Sequence, residues 1–248
     1  MELSIIIITY NQIKYICQCL DSLANIISRV DVEVIVVDNG SSDGTCQFLR
    51  ENYPLVTIIE NNSNYGVAYA RNRGFEVACG RKLLILDNDT ISNEEAIDGM
   101  LDYMDNHIHV GICACCLTDL NGCVQQSFKP YPGLYEKLSN VINRRRGMMV
   151  SLPENPIEPV YVIGACQIIR REVVEQIGLL DEHMFFGPED ADYCLRAASV
   201  GWKIVYLPQY SIVHFWQRTS GKQLFSRLAW LHLKALVYFY RKHHRWWR

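Results

Sequence analysis

The sequence predicts an α/β fold in which a Rossmann-like, mostly parallel or mixed sheet is flanked by helices and followed by a C-terminal amphipathic helix. Three observations carry this. Apolar, β-branched runs alternate with helical stretches through the first hundred residues, polar residues stand at the end of each run, and the rhythm changes beyond about residue 110.

Leu3–Ile8 is continuously apolar, the pattern of a strand buried on both faces and therefore of a parallel sheet. A helical stretch near Tyr15–Ile27 leads to a second strand at Glu33–Val37, a turn at Gly40–Gly44 and a short helix reaching about Arg50. Val56–Ile59 and Val67–Ala78 give the third strand and third helix, and Leu83–Leu86 the fourth strand, with a helix over about Asn93–Met104. Gly111–Leu117 and Val124–Phe128 then read as strands of a mixed sheet. Residues 129–159, rich in proline and basic at Arg144–Arg146, read as a long loop with a short helix. Strand-like Ile204–Leu207 and Tyr210–Val213 lead to His214. Leu224–Arg248 reads as a helix with Leu224, Leu228, Leu231, Ala235 and Tyr238 on one apolar face.

A chain of 248 residues that is 49% hydrophobic can bury one sizeable core with one appended element. Net charge is only −3 with 21% charged residues, which favours neither a nucleic-acid partner nor disorder. The charge is unevenly spread. Seven basic and no acidic residues lie between Thr219 and Arg248, leaving a body of net charge −10 over residues 1–218. Basic residues beside the tryptophans at the chain end suit an anionic membrane surface, while docking of the helix on the body explains its apolar face equally well.

Ten cysteines do not make a disulfide scaffold in a chain with this many apolar strands and no secretory signal ahead of Leu3–Ile8. Reduced thiols and a cytoplasmic location are expected, with peripheral attachment to the inner face of the plasma membrane as the tail's contribution. Cys113, Cys115 and Cys116 lie in an apolar run and read as buried small hydrophobes, and Cys123, Cys166 and Cys194 lack zinc spacing. No apolar run reaches the length of a membrane span.

Open α/β sheets bind ligands outside the carboxyl ends of their strands. Here the four exits are Thr9-Tyr10-Asn11, Asp38-Asn39, Asn61–Asn64 and Asp87-Asn88-Asp89, so one shared polar site is expected. No G-x-G-x-x-G follows the first strand and no P-loop occurs, so phosphate must be neutralised another way. Asp87-x-Asp89 offers hard oxygen ligands to a divalent cation; the alternative is that these residues merely cap the helix near Asn93, which Thr90, Ser92 and Asn93 can do themselves.

With SIIIITYN at residues 4–11, EVIVVDNGSSDGT at 33–45, NYGVAYARNRG at 64–74, LILDNDT at 84–90, GACQIIRREVVEQIGLLDEHMFFGPEDAD at 164–192 and the stretch 201–214, the chain resembles glycosyltransferase family 2, inverting enzymes of the GT-A fold, and in particular its bacterial rhamnosyltransferase-like members. The resemblance implies a GT-A domain over residues 1–221, with a nucleotide-binding half at 1–110, an acceptor-binding half at 111–221, and a separate tail at 222–248. It implies that Thr9, Tyr10, Asn11 and Asn64 line the donor, with Thr9 and Tyr10 beside base and ribose. Asp38 would bond the base, Arg71 would face the diphosphate or base edge, and Asp87 and Asn88 would lie near ribose or sugar. Asp89 and His214 would hold Mn²⁺ or Mg²⁺.

Transfer to a hydroxyl needs a base, and Glu189-Asp190 matches the family's acidic pair, with Asp190 as base and Glu189 as acceptor-binding or structural partner. The same residues after Pro188 also spell a helix N-terminus, and both readings can hold. Phe185, Phe186, Trp202 and Trp216 are candidates for an acceptor wall, with core packing as the alternative for Trp202. Arg218, Thr219 and Ser220 are candidates for a loop over the diphosphate. The implied reaction moves rhamnose or another hexose from a dTDP- or UDP-sugar to a glycan or lipid-linked acceptor in cell-surface polysaccharide or glycolipid synthesis. The alternatives are an inactive nucleotide-sugar or glycan binding module of the same fold, and a nucleotidyltransferase, whose Gly-rich basic stretch is missing from Thr9–Tyr15. A nucleic-acid binder is the least favoured.

Overall fold

The structure is a computed structural model that describes residues 1–131, 133, 152–215 and 227–244. The expected α/β alternation is present. β1 (Leu3–Thr9), β2 (Val32–Asp38), β3 (Val56–Glu60) and β4 (Lys82–Asp87) are parallel, joined through α1 (Ile13–Ser22), α2 (Ala24–Ile27), α3 (Thr45–Asn52) and α4 (Val67–Val77). β5 (Thr90–Ile91) and α5 (Glu94–Asn106) follow, then β6 (Val110–Thr118), β7 (Val124–Gln125) and β8 (Phe128–Lys129). The chain continues through β9 (Tyr161–Val162), β10 (Cys166–Arg170), α6 (Arg171–Ile177), α7 (Glu189–Ser199), β11 (Lys203–His214) and α8 (Arg227–His243).

The main sheet has the order β3-β2-β1-β4-β10-β6-β11-β5, with β7 added to β6; β8 and β9 form a separate pair. Each inner strand feeds two cores, which explains its unbroken apolar run. Ile5 and Ile7 pack with Val34, Val36, Leu84 and Leu86 against α1 and α5, while Ile6 packs with Ile35, Leu83 and Ile85 toward α4 and α7. Helices thus cover both faces of the sheet, as parallel strands require.

Four expectations need correction. The helix expected over Tyr15–Ile27 is broken at Leu23, where the backbone leaves helical geometry and the Ser22 hydroxyl turns back to the Cys19 carbonyl. The single strand expected at Val124–Phe128 is split between two partners, β7 on β6 and β8 on β9. Ile204–Leu207 and Tyr210–Val213 are one strand, β11, whose register on β6 jumps between Leu207 and Ser211 because the intervening residues bulge out of the ladder. β10, not foreseen as a strand, runs antiparallel between β4 and β6.

α8 docks on the body, but on a different face from the one its periodicity marked. Its buried residues are Ala235, Leu236, Phe239 and Tyr240, whereas Leu228, Leu231 and Tyr238 are only half-buried. Polar contacts reinforce the seat: Lys242 bridges Asp181 (2.7 Å) and Asp192 (2.8 Å), His243 Nε2 meets Asp192 (2.8 Å) and the Tyr238 hydroxyl donates to Asp181 (3.0 Å). Burial would raise the carboxyls of Asp181 and Asp192, but hydrogen bonds from Lys242 to both, from His183 to Asp181 and from His243 to Asp192 hold them below the usual range. Residue Leu224, the basic residues Arg144–Arg146, the loop residues Trp216, Arg218, Thr219 and Ser220, and the tryptophans of the chain end lie outside the described residues.

Candidate active site

The exits of β1 and β4, the N-terminus of α4, the Ile163–Ala165 segment, the loop before α7 and the end of β11 enclose a cleft of about 730 Å³. Of the residues anticipated from sequence, Thr9, Tyr10, Asn64, Arg71, Asp87, Asn88, Asp89, Glu189, Asp190 and His214 line it. Asn11 and Asp38 do not. Asn11 instead ties the loops together, accepting from the Ser42 amide (2.7 Å) while its own amide donates to the Ser41 hydroxyl (2.7 Å). Asp38 is fully buried, and its Oδ1 accepts the Gly40 and Ser41 amides at 3.0 and 2.7 Å. That is the turn chemistry an Asp-Asn-Gly sequence offers. Its Oδ2 is buried as well, beside the Cys46 thiol, whose pKa burial and the Asp38 charge raise.

At the end of β4, the ligand atoms of Asp87, Asp89 and His214 lie within 4.8 Å of one another. The helix-capping alternative for the aspartates fails, because Asn93 caps α5 by accepting the Ala96 amide at 2.7 Å. His214 is oriented by Gln125, whose Nε2 donates to the His214 carbonyl (2.7 Å) and so turns its Oε1 toward Nδ1 (2.8 Å). Nδ1 therefore carries a proton, and Nε2 faces Asp89 Oδ1, 3.4 Å away, donating to that carboxylate when protonated and offering its lone pair to a cation when not. Burial alone would lower the imidazole pKa, but the bond to Asp89 and the nearby charge of Asp87 hold it above its ordinary value. Two carboxylates and one oriented imidazole form a donor set that fits Mn²⁺ or Mg²⁺. Gln125 was not singled out in the sequence, since nothing local marks a residue 89 positions away as the partner of His214.

Arg71 departs from its expected role. It lines the cleft yet is only 3% exposed, and its two terminal nitrogens bond protein, Asp87 Oδ1 (2.9 Å), the Gly164 carbonyl (2.8 Å) and Glu189 Oε1 (3.1 Å), while Nε is buried without a hydrogen bond. A Cβ at Gly164 would stand 2.5 Å from the guanidinium, so glycine is what permits this approach. Arg71 thus joins the cation cluster to the acidic pair instead of presenting its fork to a phosphate. Burial, reinforced by the charge of Asp190 and only partly offset by Arg71, pushes the Glu189 carboxyl up to about 7. Burial likewise raises Asp87, with Arg71 opposing the shift.

Glu189 and Asp190 open α7, where the helix dipole favours carboxylates, so the helix-start and functional readings coincide. Asp190 is half-buried, with Oδ1 on the Ala191 amide (2.7 Å) and Oδ2 loosely on the Gly164 amide (3.3 Å). Gly164 therefore touches Arg71 through its carbonyl and Asp190 through its amide. The preceding loop is held by α4, where the Val67 amide donates to the Phe185 carbonyl (2.7 Å), and by α8, where His232 Nδ1 meets the Phe186 carbonyl (2.9 Å). Gly66 has φ +95°, and a Cβ there would meet the Phe185 carbonyl at 2.5 Å. Phe185, Phe186 and Leu228 form the apolar end of the cleft, whereas Trp202 packs on Gly111 and bonds Gln176, away from it. On the opposite side Asn88 donates to the Thr9 hydroxyl (2.9 Å), and Asn39 braces Asn64 (3.1 Å).

The ten cysteines are free thiols, several of them deep in the core, as in the Cys115–Cys166 contact. No helix among the described residues is long and apolar enough to cross a membrane.

Similarity to known proteins agrees with this geometry. The family model described as Glycosyl transferase family 2 matches residues 4–178. An N-acetylglucosaminyl-diphospho-decaprenol L-rhamnosyltransferase of Mycobacterium tuberculosis is 28% identical over 99% of this chain and 86% of its own length. A dTDP-rhamnosyl transferase of Shigella flexneri is 25% identical over 84% of this chain and 67% of its own. Among solved structures, Staphylococcus aureus TarS residues 1–349 (TM-score 0.66, 22% identity) covers 86% of this chain, which spans 60% of that structure. A Pyrobaculum calidifontis mannosyltransferase in complex with GDP-Man and Mn²⁺ (TM-score 0.66, 22% identity) covers 98% of this chain, which spans 64% of it. These likenesses show a shared GT-A fold, and the sequence match over residues 4–178 establishes that the chain belongs to glycosyl transferase family 2.

Proposed function

We propose that the chain transfers a rhamnosyl or other hexosyl group from a dTDP- or UDP-sugar to a hydroxyl of a lipid-linked glycan, with inversion, in the synthesis of a cell-surface polysaccharide or glycolipid. The observation that carries the reading is one cleft lined by both an Asp87/Asp89/His214 cluster and Asp190, joined through Arg71 and Gly164. Asp89, His214 and the carboxylate edge of Asp87 turned from Arg71 would hold Mn²⁺ or Mg²⁺, which supplies positive charge to diphosphate oxygens. In the donor half, residues 1–110, Thr9, Tyr10, Asn64 and Asn88 shape the nucleoside side, with Asn11 and Asp38 bracing the turn at residues 40–42 behind them.

In the acceptor half, residues 111–221, Asp190 takes the proton of the attacking hydroxyl as the new C–O bond forms at the anomeric carbon and the bond to the diphosphate breaks. Its place on the same cleft as the cluster supports this role. Glu189, whose carboxyl burial and the neighbouring Asp190 charge raise, anchors Arg71 beside Asp190. The decaprenol-linked substrate in the name of the mycobacterial relative and the apolar Phe185–Phe186–Leu228 end support a lipid-linked acceptor. Free buried thiols support a reducing, cytoplasmic location.

Calorimetry with UDP and dTDP, in Mn²⁺ and in chelator, tests the donor site. Cation-dependent binding that Asp89→Ala abolishes is expected; binding indifferent to both would overturn the assignment. Binding without turnover of any sugar nucleotide would favour an inactive binding module.

A further inference from the structure

α8 has a second apolar face that nothing in the described structure covers. Trp230 and Leu233 are 58% and 50% exposed, and with Val237, Lys234, Tyr238 and Arg241 they line a shallow groove of about 370 Å³. Positions 230, 233, 234, 237 and 241 fall on one stripe of a helix, set apart from the seat formed by Ala235, Leu236, Phe239 and Tyr240. A tryptophan and a leucine exposed side by side mark a contact surface more often than scattered apolar residues do.

Charge identifies the partner. Lys234 Nζ lies 5.5 Å from the centroid of the Trp230 ring, and Arg241 closes the same stripe. The chain from Thr219 to its end contains no acidic residue, whereas the body carries −10. Lys242 is already engaged by Asp181 and Asp192, and the cations that line the groove are Lys234 and Arg241. Tryptophan, aliphatic side chains and cations interleaved on an exposed helix match the boundary between anionic headgroups and acyl chains.

The same helix reaches the cleft. Leu228 lines the apolar end and His232 holds the Phe186 carbonyl, while Trp230 lies between them in sequence. At about 1.5 Å of rise per residue, the stripe begins about 3 Å along the axis from Leu228 and runs on to Arg241, roughly 20 Å away.

We infer that the α8 face formed by Trp230, Leu233, Lys234, Val237 and Arg241 rests on an anionic lipid surface, holding the acceptor end of the cleft beside the membrane. This deepens the lipid-linked acceptor reading above, although the contact itself requires neither donor nor turnover.

Sedimentation of the full chain with vesicles of phosphatidylcholine, with and without phosphatidylglycerol, tests the surface directly. Binding to the anionic vesicles is expected, weakening as salt rises. Lys234→Glu/Arg241→Glu should lower it about 30-fold or more, taking each cation near the surface as contributing roughly a fivefold factor. Trp230→Ala/Leu233→Ala should lower it roughly tenfold. All four residues lie away from the cation cluster and Asp190, so unchanged UDP binding serves as the check on folding. Absence of vesicle binding by a chain that still binds UDP overturns the inference and leaves the donor site standing; vesicle binding without UDP binding does the reverse. Equal binding to neutral and anionic vesicles, or variants that bind like the parent, also overturns it. Concentration-dependent self-association abolished by Trp230→Ala/Leu233→Ala would assign the face to a second copy of the chain.

Discussion

Arg71→Ala removes a cation whose fork is divided among Asp87, Glu189 and the Gly164 carbonyl. Hydrogen bonds to charged groups contribute about 1.5–3 kcal/mol each, but the three losses are unequal. Glu189 already sits at about 7 and takes up a proton near neutrality once the cation is gone, which limits its share. Asp87 keeps 32% of its side chain accessible and is partly rehydrated from the cleft. The Gly164 carbonyl bonded a fully covered donor, and leaving it dry costs about 1–3 kcal/mol. The expected total is about 3–4 kcal/mol, at the lower end of what breaking a buried ion pair costs. For a chain of this size each kcal/mol moves the melting temperature by about 2–4 °C, so a drop of roughly 6–16 °C should appear by differential scanning fluorimetry.

Arg71→Lys retains the charge but not the planar fork and should lose about half as much. The alternative drawn from sequence, an arginine facing a phosphate, makes the opposite forecast: loss of UDP affinity with stability changed by less than about 0.5 kcal/mol, as at ordinary surface sites. A variant as stable as the parent would refute the bridging role and return Arg71 to the donor.

Asp190→Asn should leave UDP binding within about twofold while lowering turnover by 10²-fold or more, the usual contribution of a general base; undiminished sugar transfer would remove Asp190 from that role. Asp181 and Asp192 have folded pKa values below their unfolded ones, so their contribution to seating α8 is complete above about pH 4 and is lost as pH falls through the lowered folded values. Arg196, Lys242 and His243, which face Asp192, and His183, Tyr238 and Lys242, which face Asp181, all favour the charged carboxylates or tolerate them. The protection of residues 227–243 against hydrogen exchange, relative to the intrinsic rate at each pH, should therefore fall in acid before that of the sheet, and Asp192→Asn should lower it likewise at pH 7; equal protection of α8 and the sheet in both cases would refute this.

Much of the site was legible because strand ends are local. The parallel strands bring Thr9, Asp87, Asn88 and Asp89 to one edge automatically, and the family pattern fixed Glu189, Asp190 and His214 relative to them. What escaped were pairings set by burial over long separations. Gln125 with His214, and Gly164 with Arg71, depend on β10 entering antiparallel between β4 and β6, and an apolar run such as CQIIR carries no direction. α8 shows another limit. It is apolar on two sides, so periodicity registered a helix but could not say which side meets the body, and the polar anchors Asp181 and Asp192 lie far back in the chain.

The placement of those anchors bears on how Asp190 is held. Its helix, α7, is gripped at the first residue by Arg71 through Glu189 and one turn later by Lys242 and His243 through the fully buried Asp192. The grips come from different parts of the chain: α4, which also contacts the loop before α7, and α8, which carries the exposed basic stripe. A carboxylate at a helix N-terminus is rigid only as far as the helix is, and a helix of eleven residues owes its position to packing more than to propensity. Asp190 therefore depends on charges supplied from both sides of it, one connected to the cation cluster through Asp87 and the other to the face proposed to meet the membrane. A donor held by the cation cluster would bear on the first grip through Asp87, and the seat of α8 forms the second, so both converge on the same carboxylate.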